Sequence, residues 1–532
     1  LWCVTRGAVA VSAAEAPDDL TQSAIWGLGR VAALEYPERW GGLIDLPAEP
    51  AGSAGLDDRV LRGLASVLAG LDGEDQVAVR ASGVFGRRLL PAPAPAPARV
   101  WEPRGTVLIT GGTGALGGHV ARTLAREGAR HLLLLSRRGP DAPGAEELGT
   151  ALRDLGAEVT ITACDVSDRA ALQAVLDGVD DLTAVVHTAG VLDDGVLDKM
   201  TPERFQDVFR SKADPALLLD ELTSGLDAFV LFSSASSAVG SPGQANYAAA
   251  NAMLDALAER RRAHGLAATS IAWGAWGGAG MADSEDAVAN AQRAGIAAMD
   301  PELACTALRQ LAAEDGATAV VAAVDKGRFS GGFRPNPLLR ELAGPQETAA
   351  PEAAPSGALR EQLLGLAPAK RHETLLDLVR TQAAEVVGRT DTDAVRADRP
   401  FRDLGFDSLA VVELRNRLGA ATGLSLASTL VFDHPSPAEL ATHLLDQLVP
   451  EDAAETDGEE AEIRDLLAKV PLTQLREIGV LEPLLHLLGK SSAEESDDTG
   501  SIDDMSVDDL VQAALEGQLG GQLDGQLDGQ LD

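Results

Sequence analysis

Four polar residues in the middle of the chain are of the types that ketone reduction requires. That reaction needs a proton donor at the carbonyl oxygen and a hydride at the carbonyl carbon. Tyr247, one of only two tyrosines in 532 residues, is the candidate acid. At its ordinary pKa of about 10 a phenol is a poor acid. A nearby ammonium stabilises the phenolate and lowers that pKa, and Lys212 lies upstream to provide one. Ser234, thirteen residues before Tyr247, can hold the carbonyl oxygen as alkoxide character develops. Asn251 follows Tyr247 at i+4, on the same helical face, and can anchor a relay water. Singly, a Ser in a turn, a surface Lys and an Asn cap are ordinary; the rare Tyr gives the set its weight.

The hydride source is read from a glycine turn. Thr110-Gly111-Gly112-Thr113-Gly114-Ala115-Leu116-Gly117 follows the apolar run Val107-Leu108-Ile109 and precedes an amphipathic stretch, 118–124. The spacing Gly112-x-Gly114-x-x-Gly117 between a strand and a helix predicts a dinucleotide cradle. Its backbone N–H groups face a pyrophosphate at the helix N-terminus. About twenty residues further on, where an NAD site carries Asp or Glu for the ribose hydroxyl, stand Ser136 and Arg137. Arg137 suits a 2′-phosphate, so the predicted cofactor is NADPH. Asp165, followed by Val166, ends the third strand and can accept from the adenine amino group. His187-Thr188-Ala189-Gly190 ends the fourth, where His187, Ala189 and Gly190 are expected to line the cofactor, the small residues letting the nicotinamide ribose approach.

These residues need strand ends gathered on one cleft. Residues 100–340 alternate strand and helix, which predicts a doubly wound α/β parallel sheet covered on both faces. The expected strands are 106–110, 131–136, 158–163, 184–187, 228–233, 268–272 and 317–323. Right-handed crossovers bring their C-terminal ends together. Residues 1–90 read as a second α/β unit. Its expected strands are 1–4, 41–46, 76–80 and 84–90, and its expected helices 22–35 and 57–71. It has no glycine loop and no catalytic cluster, so its role is structural. The Pro/Ala alternation of 91–99 is a stiff linker. After Trp273-Gly274-Ala275-Trp276-Gly277-Gly278, the amphipathic stretch 285–294 reads as a mobile lid over the substrate or, equally, as a packed helix.

The formal net charge of -37 argues against binding a nucleic-acid backbone. Cys3, Cys164 and Cys305 are too scattered for a metal or redox motif, and read as buried, reduced thiols of a cytoplasmic protein. No signal peptide and no membrane-spanning run is read in the sequence, so neither is expected to bear on the fold. The chain starts at Leu1, as expected of a piece of something longer.

The motifs at 110–117, 136–139 and 187–190, with the Ser234…Tyr247-x-x-x-Asn251 spacing, resemble a short-chain dehydrogenase/reductase. More closely, they resemble the ketoreductase of modular type I polyketide synthases. The resemblance implies NADPH-dependent reduction of a β-ketoacyl to a β-hydroxyacyl chain, with Tyr247, Ser234, Lys212 and Asn251 as catalytic tetrad. It also implies a Rossmann-like fold with a catalytic half, 99–340, and a truncated structural half, 1–98. Leu192-Asp193-Asp194 resembles the B-type fingerprint, which implies a 3R hydroxyl. Val239 stands where A-type enzymes carry Trp, and Ala249 where epimerising B-type enzymes carry Pro; both imply a non-epimerising B-type enzyme.

After a flexible linker, 341–357, a small helical bundle is expected over 358–448. Val411, Leu414 and Leu418 make the apolar stripe of a helix starting near Ser408. A Ser there is by itself an ordinary cap. Gly405–Leu409 and Val431–Pro437, however, resemble an acyl carrier protein, which implies covalent 4′-phosphopantetheine on Ser408. An acidic linker, 449–460, leads to leucine-rich helices over 461–490 that are expected to self-associate. A flexible linker, 491–500, a short helix, 501–516, and a disordered Gly-Gln-Leu-Asp tail, 517–532, complete the chain. The helices resemble the docking region of modular synthases. That implies a homodimer, an N-terminal docking coiled coil of the next synthase polypeptide as partner, and upstream ketosynthase and acyltransferase domains as suppliers of the chain. The competing reading is a redox-silent scaffold for the carrier and docking helices, which predicts a damaged tetrad or glycine turn.

Overall fold

The computed structural model describes residues 1–48, 55–70, 73–92, 100–278, 296–324, 337–342, 358–387, 392, 395–404, 406, 408–424, 426 and 430–449. The expected lid, 285–294, and the docking helices and tail lie outside them. The chain divides into two compact units, residues 1–355 with 376–440, and residues 356–375 with 441–532.

The N-terminal unit runs β1 (Trp2–Arg6), α1 (Leu20–Glu35), β2 (Gly42–Leu46), α2 (Asp58–Leu68), β3 (Gln76–Arg80) and β4 (Gly83–Gly86). Asp19 caps α1, its carboxylate accepting from the N–H groups of Thr21 and Gln22, and Asp57 caps α2. The sheet order is β1-β2-β3-β4, parallel except for the antiparallel β3–β4 pair. The expected strand 84–90 stops at Gly86, because Arg87 and Arg88 turn away. Arg87 donates to the Ala238 carbonyl (2.7 Å) and Arg88 to Glu74 (2.8 Å). Helix α2 is shorter than expected, since Gly70 takes φ +94° just beyond it.

The catalytic half continues with β5 (Thr106–Thr110), α3 (Ala115–Arg126), β6 (His131–Ser136), α4 (Ala145–Asp154), β7 (Glu158–Ala163), α5 (Arg169–Leu176), β8 (Leu182–His187) and α6 (Pro202–Leu222). Then come β9 (Ala228–Ser234), α7 (Ala235–Val239), α8 (Ala245–Ala263), β10 (Thr269–Trp273), β11 (Ile296–Ala297), α9 (Pro301–Ala312), β12 (Thr318–Val321) and β13 (Ala323–Val324). Seven strands form one parallel sheet in the order β12-β10-β9-β8-β5-β6-β7. The order reverses between β5 and β8, the switch point where open α/β sheets bind ligands. Alternate residues of β5 feed the two cores. Val107 and Ile109 pack with α3 and α4, and Leu108 packs with α6 and α8. The expected strand 317–323 is split in two, with Ala323–Val324 pairing instead with β11. Cys164 and Cys305 are buried, whereas Cys3 is only half-buried.

The two halves meet where α1 lies on α8. A Cβ on Gly27 would collide with the carbonyl of Ala248, so only glycine permits this backbone approach. Arg30 of α1 donates to the Ser237 carbonyl and, through Nε, to Gln76 Oε1 (2.9 Å). The helices that follow are α10 (Ala358–Leu364), α11 (Pro368–Val386), α12 (Ser408–Thr422), α13 (Leu430–Asp433) and α14 (Pro437–Leu448). In α12, Val411, Leu414 and Leu418 are buried, as the i, i+3, i+7 pattern predicts.

Candidate active site

Strand β5 ends at Thr110 and hands over directly to the glycine turn. Gly111 adopts φ +65°. A Cβ on Gly112 would lie 2.8 Å from Leu134 Cβ, and one on Gly117 would collide with the Gly111 carbonyl. The turn therefore closes only with glycines. Gly114 caps α3 without a side chain, whereas Asp168 and Asp300 cap α5 and α9 with carboxylates. The first turn of α3 thus presents its dipole and N–H groups without a resident anion, which fits a pyrophosphate. Thr113, Ala115 and Leu116 lie in this turn. Ser136 accepts from the Gly139 N–H (3.0 Å), which folds the loop bearing exposed Arg137 across the end of β6. Asp165 Oδ1 accepts from the Ser167 N–H (3.0 Å) and hydroxyl (2.7 Å). Those bonds hold its carboxyl below the usual range. Val166 beside it is buried.

His187 behaves differently from its expected role beside the cofactor. Its ring is fully buried. Nε2 meets the Lys212 carbonyl (2.8 Å) and Nδ1 meets Thr110 Oγ1 (2.7 Å). A carbonyl only accepts, so Nε2 carries the proton and Nδ1 accepts from Thr110. The side chain thereby ties β5 to α6 and positions Lys212 from behind, leaving Ala189 and Gly190 at the strand end. Ala189 donates its N–H to Thr110 Oγ1 (3.4 Å). Thr110 is a positioning residue that spacing did not single out.

Burial, with the Lys212 charge adding, lowers the His187 pKa from 6.5 to about 4. The unfolded chain therefore binds a proton there that the folded chain refuses. The resulting stabilisation is present above about pH 6.5 and is lost as pH falls toward about 4; a shift of this size corresponds to about 3 kcal/mol. His187→Gln should accordingly show a shallower loss of thermal stability than the wild type between about pH 6.5 and 4.5. Parallel curves would contradict the assignment.

The four candidate residues come from three elements, Lys212 from α6, Ser234 from the end of β9, and Tyr247 and Asn251 from α8. Lys212 of α6 is buried, and its Nζ lies 5.1 Å from the centre of the Tyr247 ring. Desolvation lowers the Lys212 pKa to about 8 and pushes Tyr247 up to about 12 in the ligand-free chain. The expected lowering of the Tyr247 pKa by Lys212 is not what the structure gives: burial raises it instead, and the phenol holds its proton at neutral pH. Ser234 is both the last residue of β9 and the cap of α7, accepting from the Ser236 N–H (3.2 Å). The ordinary capping role is real, and it still leaves the hydroxyl proton to donate. Asn251 donates to the Tyr247 carbonyl (2.8 Å), while its Oδ1 is buried with no partner. An orphaned buried acceptor of this kind fits a bound water.

The loop after β8 carries Leu192, Asp193 and Asp194. Leu192 packs in the same apolar cluster as Tyr247. Asp193 pairs in two-pronged fashion with Arg204 of α6 (2.5 and 2.8 Å). Asp194 accepts from Gln244 (3.1 Å), and Asn246 donates to the Asp193 carbonyl (3.0 Å). Arg204, Gln244 and Asn246 were missed from sequence, although Gln244 and Asn246 stand within three residues of Tyr247. No group of His, Cys, Asp and Glu suited to a metal occurs among the described residues, and none of the described helices is long and apolar enough to cross a membrane.

A glycine cradle at the switch point with a Tyr–Lys–Ser–Asn set beside it defines a ketoreductase of Rossmann-like fold. Comparison with known proteins agrees. The model of the KR domain matches residues 105–278, that of the phosphopantetheine attachment site 377–444, and that of the Rossmann fold domain of polyketide synthase extender module SpnB 1–89. The chain is 50% identical over 460 residues to polyketide synthase GfsA of Streptomyces halstedii, covering 84% of this chain and 6% of that protein. It is 46% identical over 545 residues to pikromycin polyketide synthase component PikAIII of Streptomyces venezuelae, covering 97% and 34%. It thus spans at most about a third of these two relatives. A solved structure of A-type ketoreductases from a modular polyketide synthase aligns with a TM-score of 0.62 at 48% identity, covering 64% of this chain and 73% of that one. The first ketoreductase of the tylosin synthase aligns at 0.60 and 52%, covering 64% and 74%. The chain belongs to the modular polyketide synthases, as a ketoreductase followed by an acyl carrier domain that bears the phosphopantetheine attachment site.

Proposed function

We propose that the chain reduces a β-ketoacyl thioester, carried on a 4′-phosphopantetheine arm at Ser408, to the 3R β-hydroxyacyl thioester without epimerising C2. The observation that carries this reading is the buried Tyr247 with the Lys212 ammonium 5.1 Å from its ring centre, beside the glycine turn. When bound, NADPH supplies the hydride to C3; Gly112, Gly114 and Gly117 would hold its pyrophosphate and Arg137 its 2′-phosphate. Tyr247 gives its proton to the carbonyl oxygen as the C=O electron pair moves onto that atom. Ser234 donates to the same oxygen and orients it. Lys212 stabilises the phenolate left behind, and Asn251 Oδ1 holds the water from which the proton is replaced. The intact tetrad and glycine turn speak against a redox-silent scaffold.

The stereochemical part rests on Leu192–Asp194, fixed beside Tyr247 through Arg204 and Gln244, and on Val239 and Ala249 at the other two marker positions. The relatives' context adds further proposals. The domain boundaries are those expected above, upstream ketosynthase and acyltransferase domains supply the chain, and residues 461–516 dimerise and dock the next polypeptide. A racemic 2-methyl-3-ketoacyl thioester, reduced with NADPH and resolved by chiral chromatography, should yield the (2R,3R) product. A 3S product would overturn the B-type reading and leave the reductase standing. A 2S,3R product would overturn the predicted 2R preference and leave the 3R reading standing.

A further inference from the structure

Glu35, the last residue of α1, belongs to the structural half that carries no catalytic residue. Its carboxylate nevertheless reaches into the catalytic half. Oε2 accepts from the Leu197 N–H (2.7 Å) and Oε1 from the Gly243 N–H (2.7 Å). Leu197 belongs to the loop that carries Leu192–Asp194, and Gly243 lies four residues before Tyr247. The same two loops are joined by the Gly195 N–H to the Gly243 carbonyl (2.7 Å) and by Gln244 to Asp194 (3.1 Å). One carboxylate thus pins both walls that flank the acid. Glu35 is 2% exposed, and a carboxylate bonded to two N–H groups makes stronger bonds than a neutral acceptor. Its α1 anchor cannot drift, because Gly27 allows backbone contact with α8 and Arg30 bonds the Ser237 carbonyl.

We infer that Glu35 is a positioning residue for the reduction, fixing the gap between the Leu192–Asp194 loop and Tyr247 and so the face of the ketone offered to the hydride. It deepens the stereochemical reading above but is tested separately. The sense of the hydroxyl tests the Leu192–Asp194 reading, whereas the purity of the product tests Glu35. Without the carboxylate, two inward-facing N–H groups lose their acceptor, and the loops part. A displacement on the order of 1 Å at a reacting centre costs roughly a hundredfold in rate.

The experiment compares full-length wild type, Glu35→Gln and Glu35→Ala by NADPH binding, kcat/KM and chiral product analysis. Glu35→Gln keeps one acceptor oxygen and turns an NH2 toward the other donor, so its defect should be intermediate. The expected result for Glu35→Ala is unchanged NADPH binding, which also reports folding, with kcat/KM down about tenfold to a hundredfold and the minor stereoisomer raised several-fold. A purely structural role would lower thermal stability and leave the isomer ratio untouched. Wild-type isomer ratio in both variants would overturn the inference. Should Glu35→Ala fail to bind NADPH, the ratio from Glu35→Gln decides alone.

Discussion

Tyr247→Phe should lower NADPH oxidation with a β-ketoacyl thioester by about 10²–10⁴-fold, the range expected for loss of a positioned general acid. Cofactor binding should persist, because the ring stays and only the hydroxyl goes. The effect is expected to be this large because, among the described residues, the candidate site brings only Tyr247 forward as an acid. Ser234 can donate a hydrogen bond, but an alkoxide is not a group that a serine readily becomes at neutral pH. Lys212, whose carbonyl is held by His187, is proposed to stabilise the phenolate rather than to supply the proton. Binding is checked by fluorescence titration and turnover by absorbance. Near wild-type turnover with intact binding would remove Tyr247 from the mechanism.

Much of this site was legible in the sequence because its signals are local. Gly112, Gly114 and Gly117 sit between an apolar run and an amphipathic helix, and the structure shows that side chains there would strike Leu134 and the Gly111 carbonyl. The strands 106–110, 131–136 and 158–163 coincide with β5, β6 and β7; β5 and β6 are buried on both faces, and β7 is the half-exposed edge strand. What was not legible depends on contacts distant in sequence. Glu35 lies 162 and 208 residues from the two N–H groups it holds, and nothing near it in the chain points there. The strand-end motif in which His187 stands predicts that it lines the cleft. Its true direction follows from the Lys212 carbonyl, 25 residues later in the chain. Strand β4 ends early for a similar reason, since Arg87 is drawn off by Ala238.

Ser408→Ala should abolish the mass gain that a phosphopantetheinyl transferase with coenzyme A confers on the chain. The hydroxyl is the attacking atom, and alanine offers no substitute. Helix α12 begins at Ser408 and is anchored by the buried Leu414 and Leu418, so the carrier fold should survive the change. Reduction of a diffusible thioester should continue at the wild-type rate, because the tetrad lies wholly within residues 212–251. Reduction of a tethered chain should disappear altogether, since delivery from the arm replaces diffusion by a high effective concentration. A mass gain in the variant would move the attachment point elsewhere.

The measurement that bears most directly on the whole account is a single turnover on the loaded chain. A β-ketoacyl phosphopantetheine is installed on Ser408, NADPH is added, and the Ser408 peptide is weighed by mass spectrometry. The tethered chain is expected to gain the mass of two hydrogens, one from the hydride and one from Tyr247, and Tyr247→Phe is expected to suppress the gain. An unreduced chain on the wild-type protein, with NADPH bound, would contradict it.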